Sequence, residues 1–239
     1  MDNSKRIFCF FTEYQESLVL DGAGKIMALL DDGDCERYQR YTHSEKKAEL
    51  LVSRLLVKSV AARIADVGLR DVILSSESSG KPRMQVKGHD EKNLPSFSVA
   101  HTHGLVAVAF YRYGEVGVDV EDMLDTRRHL EAIARRFFSE EEKQYFLKGS
   151  GDTSAVRFFT LWTLKESLAK LSREGVIEQL KENLVKQGRI LESIDGKHLE
   201  SRLVDEQYCF GFAVEGDKPG LPVHLESISY TRLHANLHS

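Results

Sequence analysis

The sequence is poor in the residues that build disulfide scaffolds and cysteine-based metal sites. Its 239 residues include three cysteines, and Cys9, Cys35 and Cys209 lie far apart with no CxxC pair among them. This spacing argues against a disulfide framework and a cysteine-built zinc site, and it fits a reducing compartment. Burial as small apolar side chains is the simplest interpretation of all three.

An excess of positive charge and a long apolar run are also missing. The formal net charge is −4, with 33 Lys and Arg against 37 Asp and Glu, which argues against a generally basic nucleic-acid binder. The longest apolar stretches, such as Leu105 to Tyr111, fall far short of the roughly 20 residues that a membrane-spanning helix needs. Ile7 to Phe11 is too short for a secretory signal and favours a buried first strand. We therefore expect a cytoplasmic protein that binds neither membranes nor nucleic acids.

Apolar spacing predicts helices and strands in both parts of the chain. Helical spacing runs over Cys35 to Ala65, Leu130 to Phe146 and Ala155 to Leu171. Within the second segment, Ser139 followed by three glutamates has the pattern of a capping box and predicts a new helix start. Two β-rich runs on either side of Gly104 predict a hairpin.

Each half of the chain runs through a long helix into short strands. This order predicts an α+β fold with two similar halves, divided near Tyr113 to Glu115 into residues 1–113 and 114–239.

Two carboxylates occupy alternate positions of a β-branched run. Asp119 and Glu121 follow Gly117, and on a strand both point to one face with Cα atoms roughly 6.6 to 7 Å apart. Paired carboxylates suit a hard divalent cation such as Mg²⁺, which commonly shares its oxygen ligands with substrate phosphates. A solvent-facing strand edge with alternating charge is the other interpretation of this pattern.

A second charged stripe lies on the predicted helix near Leu171. Trp162, Glu166 and Lys170 are spaced i, i+4, i+8 and share one face, with Lys165 beside them. An ordinary amphipathic helix with one Glu–Lys pair has the same pattern. However, leucines supply a separate apolar side, so the Glu166–Lys170 side need not be solvated surface.

Other site patterns are weaker. His101 and His103 could join Asp119 in a two-His, one-carboxylate metal site, but a single functional His101 is the better hypothesis. A phosphate loop ending at Gly24 and Lys25 is excluded because the required glycine and hydroxyl residue are absent. No G-x-S-x-G nucleophile motif occurs.

Taken together, five segments resemble the 4′-phosphopantetheinyl transferases of the Sfp (surfactin-activating) type. They are the GKP turn at 80–82, FSVAH at 97–101, GVDVE at 117–121, RFFSEEE at 136–142 and LWTLKESLAK at 161–170. Their order and spacing make the resemblance specific, and it covers most of the chain.

The resemblance implies a pseudo-dimeric α+β monomer that binds coenzyme A and Mg²⁺, or Mn²⁺ in its place, in a cleft between the halves. Such an enzyme moves the phosphopantetheine arm of coenzyme A to a serine of an acyl, peptidyl or polyketide carrier protein and releases adenosine 3′,5′-bisphosphate. By motif position, Asp119, Glu121 and Glu166 would hold the metal. Glu166 would also be the base for the serine, and Lys170 would neutralise charge on the phosphates and leaving group.

The resemblance also implies a set of coenzyme A contacts. The phosphates would be contacted by Arg37, by Lys81 of the turn that includes Pro82, and by His101. Arginines that could dock an acidic carrier protein are Arg127, Arg128, Arg135 and Arg136. A solvated helix face is the other interpretation of these residues.

Three positions depart from the family pattern. Ser98 and Ala100 replace an asparagine and a serine, and Leu50 stands where the Sfp-type enzyme has a phosphate-binding threonine. Arg54, on the same predicted helix, is a candidate substitute for that contact, and a surface helix residue is its other interpretation.

Two other functions use the same residues. A Mg²⁺-dependent phosphohydrolase of nucleotide-like anhydrides would use the carboxylates with a water nucleophile. A protein that binds coenzyme A or a carrier without catalysis is the third hypothesis, although it has no need of all three acids.

Overall fold

Helices and strands mix along the chain. The computed structural model describes residues 5–76, 82–125, 129–149, 151–172, 180–216, 220–235 and 237. The α-helices are α1 (Glu16–Asp21), α2 (Ala23–Met27), α3 (Asp32–Arg40), α4 (Ser44–Ala65), α5 (Leu130–Phe137), α6 (Glu140–Leu147), α7 (Asp152–Leu171) and α8 (Tyr230–Ala235). The strands are β1 (Ile7–Glu13), β2 (Val72–Ser76), β3 (Pro82–Val86), β4 (Ser96–Thr102), β5 (Leu105–Tyr111), β6 (Val116–Asp122), β7 (Val185–Lys186), β8 (Arg189–Ile190), β9 (Ser193–Ile194), β10 (Lys197–Val204), β11 (Tyr208–Glu215) and β12 (Val223–Ser227). The predicted α+β class is confirmed.

The chain divides into two compact units. The N-terminal unit comprises Phe8–Arg112 and Val223–Ser239, and the C-terminal unit comprises Met1–Ile7 and Tyr113–Pro222. The division that the sequence suggests near Tyr113 lies close to the boundary between Arg112 and Tyr113. The last segment nevertheless belongs to the first unit, because β12 lies beside β1 in its sheet. That residues 1–113 contact the coenzyme A phosphates and residues 114–239 hold the metal stays a prediction.

The N-terminal unit is built around α4. Its main sheet has the strand order β12-β1-β5-β4, and β2 pairs with β3 in a hairpin. Residues Leu50 to Ala62 of α4 are buried without interruption, and Leu51 and Leu55 share a core with Val106 and Val108 of β5. A helix that is buried all round lies at the centre of a unit rather than on its surface.

The C-terminal unit repeats this plan, with one long helix against a four-stranded sheet. The strand order is β6-β11-β10-β9 with antiparallel neighbours, and β7 and β8 form a short hairpin. Helix α7 supplies Phe158, Phe159, Leu161, Leu164 and Leu168 to the core. The likeness of the two units agrees with the predicted pair of similar halves.

Two long segments of helical spacing are each interrupted in the structure. The Cys35–Ala65 segment is not one helix, because Tyr41 and His43 adopt extended backbone between α3 and α4, with no Gly or Pro to mark the break. The predicted second start at Ser139 is confirmed. There Ser139 Oγ accepts from Glu142 N at 3.2 Å, and the Glu142 carboxylate accepts from Ser139 N at 2.7 Å.

The remaining strand predictions agree with the structure. Gly104, with φ of +69°, turns the hairpin between β4 and β5, which is a conformation that glycine adopts without steric cost. No helix in the described part of the chain is long and apolar enough to cross a membrane.

Candidate active site

Strand β6 presents its two carboxylates toward α7. Alternation along the strand puts Gly117, Asp119 and Glu121 on one face, while Val118 and Val120 point to the other. Asp119 and Glu121 are each only 6% exposed. The solvent-edge interpretation of this pattern is therefore excluded.

Two glycines allow α7 to lie directly on the sheet. A Cβ added at Gly117 would stand 1.9 Å from the Ser167 carbonyl oxygen, and one added at Gly211 of β11 would stand 2.4 Å from that of Thr163. Gly211 pairs with Asp119 across the ladder, so both glycines flank the carboxylates. Any side chain at either position would push the helix away from the strand.

This close approach joins the Trp162–Lys170 stripe of α7 to the carboxylates of β6. Trp162 Nε1 donates to Glu121 Oε1 at 3.0 Å, and Lys170 Nζ donates to Asp119 Oδ1 at 2.9 Å. Glu166 stands one helical turn from each of these two donors, so helix periodicity places it on the same face between them.

The carboxylate arrangement suits a hard cation chemically. Asp119 Oδ2 is buried and has no hydrogen-bond partner among the described residues. A buried carboxylate oxygen is costly to leave unpaired, and oxygen donors are what Mg²⁺ prefers. No group of three His, Cys, Asp or Glu side chains within the described ranges has the spacing of a ready-made metal centre. The three-carboxylate metal set therefore stays a prediction.

Lys165, next to Glu166, has a structural role in this unit. Its ammonium is fully buried, lies 2.9 Å from Glu142 Oε1, and donates to the carbonyl oxygens of Leu180 and Glu182. Burial lowers the pKa of Lys165, and the Glu142 carboxylate opposes that shift. Glu142 also accepts from Leu184 N at 2.8 Å. This pair ties α7 to the start of α6 and to the segment after residue 180.

In the N-terminal unit, two arginines of the predicted coenzyme A site line one pocket. The open pocket, of about 970 Å³, has Arg37, Arg40 and Arg54 in its wall. Arg37 Nε donates to the Tyr41 hydroxyl at 2.7 Å.

Arg54 is a buried residue of α4 that is paired with an acid, so the surface interpretation of it is excluded. It is 9% exposed and forms a two-pronged ion pair with Asp34, at 2.5 and 2.8 Å. The pair ties Arg54 to α3, which carries Arg37. The phosphate contact suggested for Arg54 stays a prediction.

His101 extends from β4 beside α4. Its Nε2 lies 3.0 Å from Glu49 Oε1, and 45% of the side chain is exposed. His103 pairs separately with Glu45, at 3.2 Å. Each histidine is thus associated with an acid of α4, and sequence reasoning had singled out neither acid.

The remaining predicted contacts to coenzyme A and to the carrier protein lie on β3, on α5 and outside the described residues. Lys81 lies outside the described residues, as do Arg127 and Arg128, whereas Pro82 begins β3. On α5, Arg136 stacks over the Phe137 ring at 5.1 Å and Arg135 lies 3.8 Å from Glu131.

Two family models match consecutive stretches of the chain. One, described as 4′-phosphopantetheinyl transferase, N-terminal, matches residues 23–112, and the other, described as 4′-phosphopantetheinyl transferase superfamily, matches residues 115–212. A Synechocystis sp. protein provisionally named a 4′-phosphopantetheinyl transferase is 30% identical over 176 residues, which are 72% of this chain and 70% of that protein. The chain belongs to the 4′-phosphopantetheinyl transferase family.

The Sfp-type resemblance is confirmed by two further relatives. The Bacillus subtilis 4′-phosphopantetheinyl transferases ffp and Sfp are 27% and 26% identical over 218 residues, which are 87% of this chain and 92% of each relative. These relatives also confirm the predicted enzyme class, a 4′-phosphopantetheinyl transferase. In this 4′-phosphopantetheinyl transferase, the superfamily model spans both β6 and α7, the elements that hold the carboxylates.

Proposed function

We propose that this enzyme transfers the 4′-phosphopantetheine arm of coenzyme A to a serine of a carrier protein. The serine oxygen forms a bond to the phosphorus that bears the pantetheine arm. The bond from that phosphorus to the bridging oxygen of the pyrophosphate breaks, and adenosine 3′,5′-bisphosphate leaves with the bond's electron pair. The serine proton passes to a base, directly or through water. Such a reaction needs positioning and charge neutralisation more than covalent help from the protein.

This proposal is supported by the side-chain hydrogen bonds from α7 to the carboxylates of β6. Two buried carboxylates are fixed by a lysine and a tryptophan from one helix face, and Glu166 stands between those donors. Preorganised charges in a partly buried site stabilise a transition state more than the same groups in water.

Asp119, Glu121 and Glu166 would hold a magnesium or manganese ion. The unpartnered, buried Asp119 Oδ2 and the all-oxygen donor set fit such an ion. A bound divalent cation supplies charge neutralisation on the pyrophosphate oxygens. Trp162 fixes the orientation of the Glu121 carboxylate toward this position.

Glu166 and Lys170 have separate roles in the transfer. Glu166 accepts the serine proton, directly or through a water molecule. Lys170, with 32% of its side chain exposed, remains accessible to an incoming phosphate although it also contacts Asp119. Its ammonium would offset charge on the leaving bisphosphate.

The N-terminal unit supplies the contacts to parts of coenzyme A that do not react. Arg37, His101 and Lys81 bind the phosphates of coenzyme A, and Pro82 follows Lys81 in the coenzyme A-binding GKP motif. Arg54 acts indirectly, because its ion pair with Asp34 holds α3 and hence Arg37 in place. Leu50 is buried, 5% exposed, and offers no phosphate contact of its own.

The carrier protein docks against basic residues of α5. Arg135 is well exposed on α5, with 72% of its side chain accessible, and suits an acidic partner. Arg127 and Arg128, which precede α5 in the sequence, and Arg136 are further candidates for this contact.

Mass spectrometry of an apo carrier protein tests the proposal. After incubation with coenzyme A, Mg²⁺ and this enzyme, we expect a mass gain equal to one phosphopantetheine arm. Cleaved coenzyme A with an unmodified carrier would instead indicate hydrolysis, and intact coenzyme A would indicate binding only. A panel of carriers from fatty-acid, polyketide and nonribosomal-peptide synthases would identify the partner.

The Asp119→Ala variant tests the role of this carboxylate in the same assay. Loss of this carboxylate removes transition-state charge stabilisation of several kcal/mol, so transfer should fall by orders of magnitude. Circular dichroism should show an unchanged fold. Near-normal turnover of this variant at saturating Mg²⁺ would contradict the assignment of Asp119.

A further inference from the structure

A second pocket opens at the carboxyl end of α4, in the N-terminal unit. It has a volume of about 740 Å³ and shares no lining residue with the pocket of Arg37 and Arg54. Volumes of 300 to 1,000 Å³ are typical of small-molecule sites. We call it the α4-end pocket.

Four cations from four different elements surround the α4-end pocket. They are Lys25 of α2, Arg63 of α4, Arg70 of the 3₁₀ turn Leu69–Asp71, and Arg232 of α8. All four are exposed. Within the described ranges, the side chains of Arg70 and Arg232 have no hydrogen-bond or ion-pair partner. Asp66 is the single acid of the lining, so the pocket carries a net positive charge.

Apolar side chains form part of the wall of this pocket, beside its charged residues. Val60, Leu69, Ile228, Leu233 and Leu237 are among its lining side chains. Ser59 adds one hydroxyl, which is buried in a residue only 9% exposed and has no hydrogen-bond partner among the described residues.

Stabilisation of the α4 dipole does not explain the four cations. Cations near a helix carboxyl end are favourable, and Arg63 in the last turn of α4 fits that role. The last turn is already capped, since Val67 N donates to the Ala62 carbonyl at 3.0 Å. Lys25, Arg70 and Arg232 reach the pocket from other elements, so a local helix effect does not account for them.

We propose that the α4-end pocket binds an amphipathic anion, with an apolar chain inside and a carboxylate or phosphate head against Arg70 and Arg232. The charge of the rim selects the head, and the apolar lining selects the chain. Arg63 contributes less, because it is occupied by Glu226 at 3.4 Å and by the Phe10 ring at 4.9 Å.

Calorimetric titration of the full chain with three ten-carbon ligands tests this proposal. Decanoate, decyl phosphate and decanol are used below their micelle-forming concentrations. We expect one decanoate or decyl phosphate per chain, and at least tenfold weaker binding of decanol, which corresponds to about 1.4 kcal/mol. The head that binds more tightly identifies the source of the anion, and either order supports the proposal.

Two charge-reversal variants and one pocket-filling variant complete the test. Arg232→Glu should weaken binding of the anion at least tenfold, whereas Arg112→Glu, which changes an exposed arginine of the same unit outside the pocket, should not. Ala28→Trp fills the pocket and should abolish binding, with circular dichroism reporting its fold. Absence of saturable binding, equal binding of decanol, or an equal loss in Arg112→Glu would overturn the proposal.

Discussion

At the scale of single residues, the candidate site depends on which group each carboxylate contacts. Asp119 is fixed by Lys170 and Glu121 by Trp162, each through one hydrogen bond from α7. Arg37 and His101 belong to the N-terminal unit, where they contact Tyr41 and Glu49, respectively. The two groups of residues should therefore respond differently to substitution.

Steady-state kinetics should separate chemistry from binding. Interactions formed at the reacting centre mainly alter kcat, whereas those formed equally in the ground and transition states mainly alter KM. Glu166→Gln removes a base and should lower kcat about 10²- to 10⁴-fold. Arg37→Ala should raise the KM for coenzyme A about tenfold with a smaller change in kcat. A Glu166→Gln enzyme altered in KM alone would contradict the role given to Glu166.

Trp162 provides a test of the metal site that does not depend on turnover. It is the single tryptophan of the chain, and its indole N–H holds Glu121. Trp162→Phe keeps an aromatic ring against Phe158 but removes that donor. Loss of a hydrogen bond to a charged group costs about 1.5 to 3 kcal/mol, so we expect Mn²⁺ affinity, measured by electron paramagnetic resonance, to fall at least about tenfold. Unchanged Mn²⁺ affinity would show that Trp162 does not position a ligand.

The three cysteines should differ in reactivity. Burial raises the pKa of the Cys209 thiol to about 11 and raises the pKa of Cys9 further, whereas Cys35 is only half-buried. The thiolate is the reactive form of cysteine. At about pH 8 a disulfide reagent should therefore modify only the Cys35 thiol quickly in the native protein. In denaturant, all three thiols should react quickly. Fast modification of three thiols in the native state would contradict the buried positions of Cys9 and Cys209.

At the scale of elements, the contact of α7 with β6 and β11 sets the geometry of the candidate site. Gly117 and Gly211 are required because the helix backbone occupies the space of a Cβ. Gly117→Ala should therefore destabilise the enzyme by about 3 kcal/mol, the upper part of the range for overpacking. For a chain of this size that is a fall in melting temperature of roughly 6 to 12 °C.

Gly24→Ala is the matched control for Gly117→Ala. Gly24 lies in α2, and no atom stands within 4 Å of its added Cβ. Alanine is the better helix former, so this variant should be as stable as the parent or slightly more stable. Scanning calorimetry should show a lower melting temperature for Gly117→Ala than for Gly24→Ala. Equal melting temperatures would exclude a tight α7–β6 contact.

These elements also show what the sequence could and could not predict. Local signals were sufficient where one residue type decides the conformation, as with the Ser139 cap and the Gly104 turn. They failed at Tyr41 to His43, where an extended link interrupts a helical pattern without Gly or Pro. The Arg54–Asp34 pair joins residues 20 positions apart, and tertiary contacts of this kind leave no periodic trace.

At the scale of the whole molecule, the chain holds both groups of residues that are proposed to act in transfer. The carboxylates lie in the C-terminal unit, and the proposed coenzyme A contacts lie in the N-terminal unit. We propose that one chain is sufficient for activity, and we expect a monomer. Light scattering should give a mass near 27.1 kDa, with specific activity constant on dilution.

Complementation between two defective variants tests this expectation more sharply than the mass does. Glu166→Gln lacks the proposed base, and Arg37→Glu repels the phosphates of coenzyme A, so each variant alone should be nearly inactive. If every active site is built from one chain, an equimolar mixture has only the summed residual activity of its components. If sites form between chains, part of the mixed assemblies contains one intact site, and activity recovers well above that sum. Recovery in the transfer assay would overturn the monomer assignment, while the parent enzyme mixed with either variant should keep its own activity undiminished.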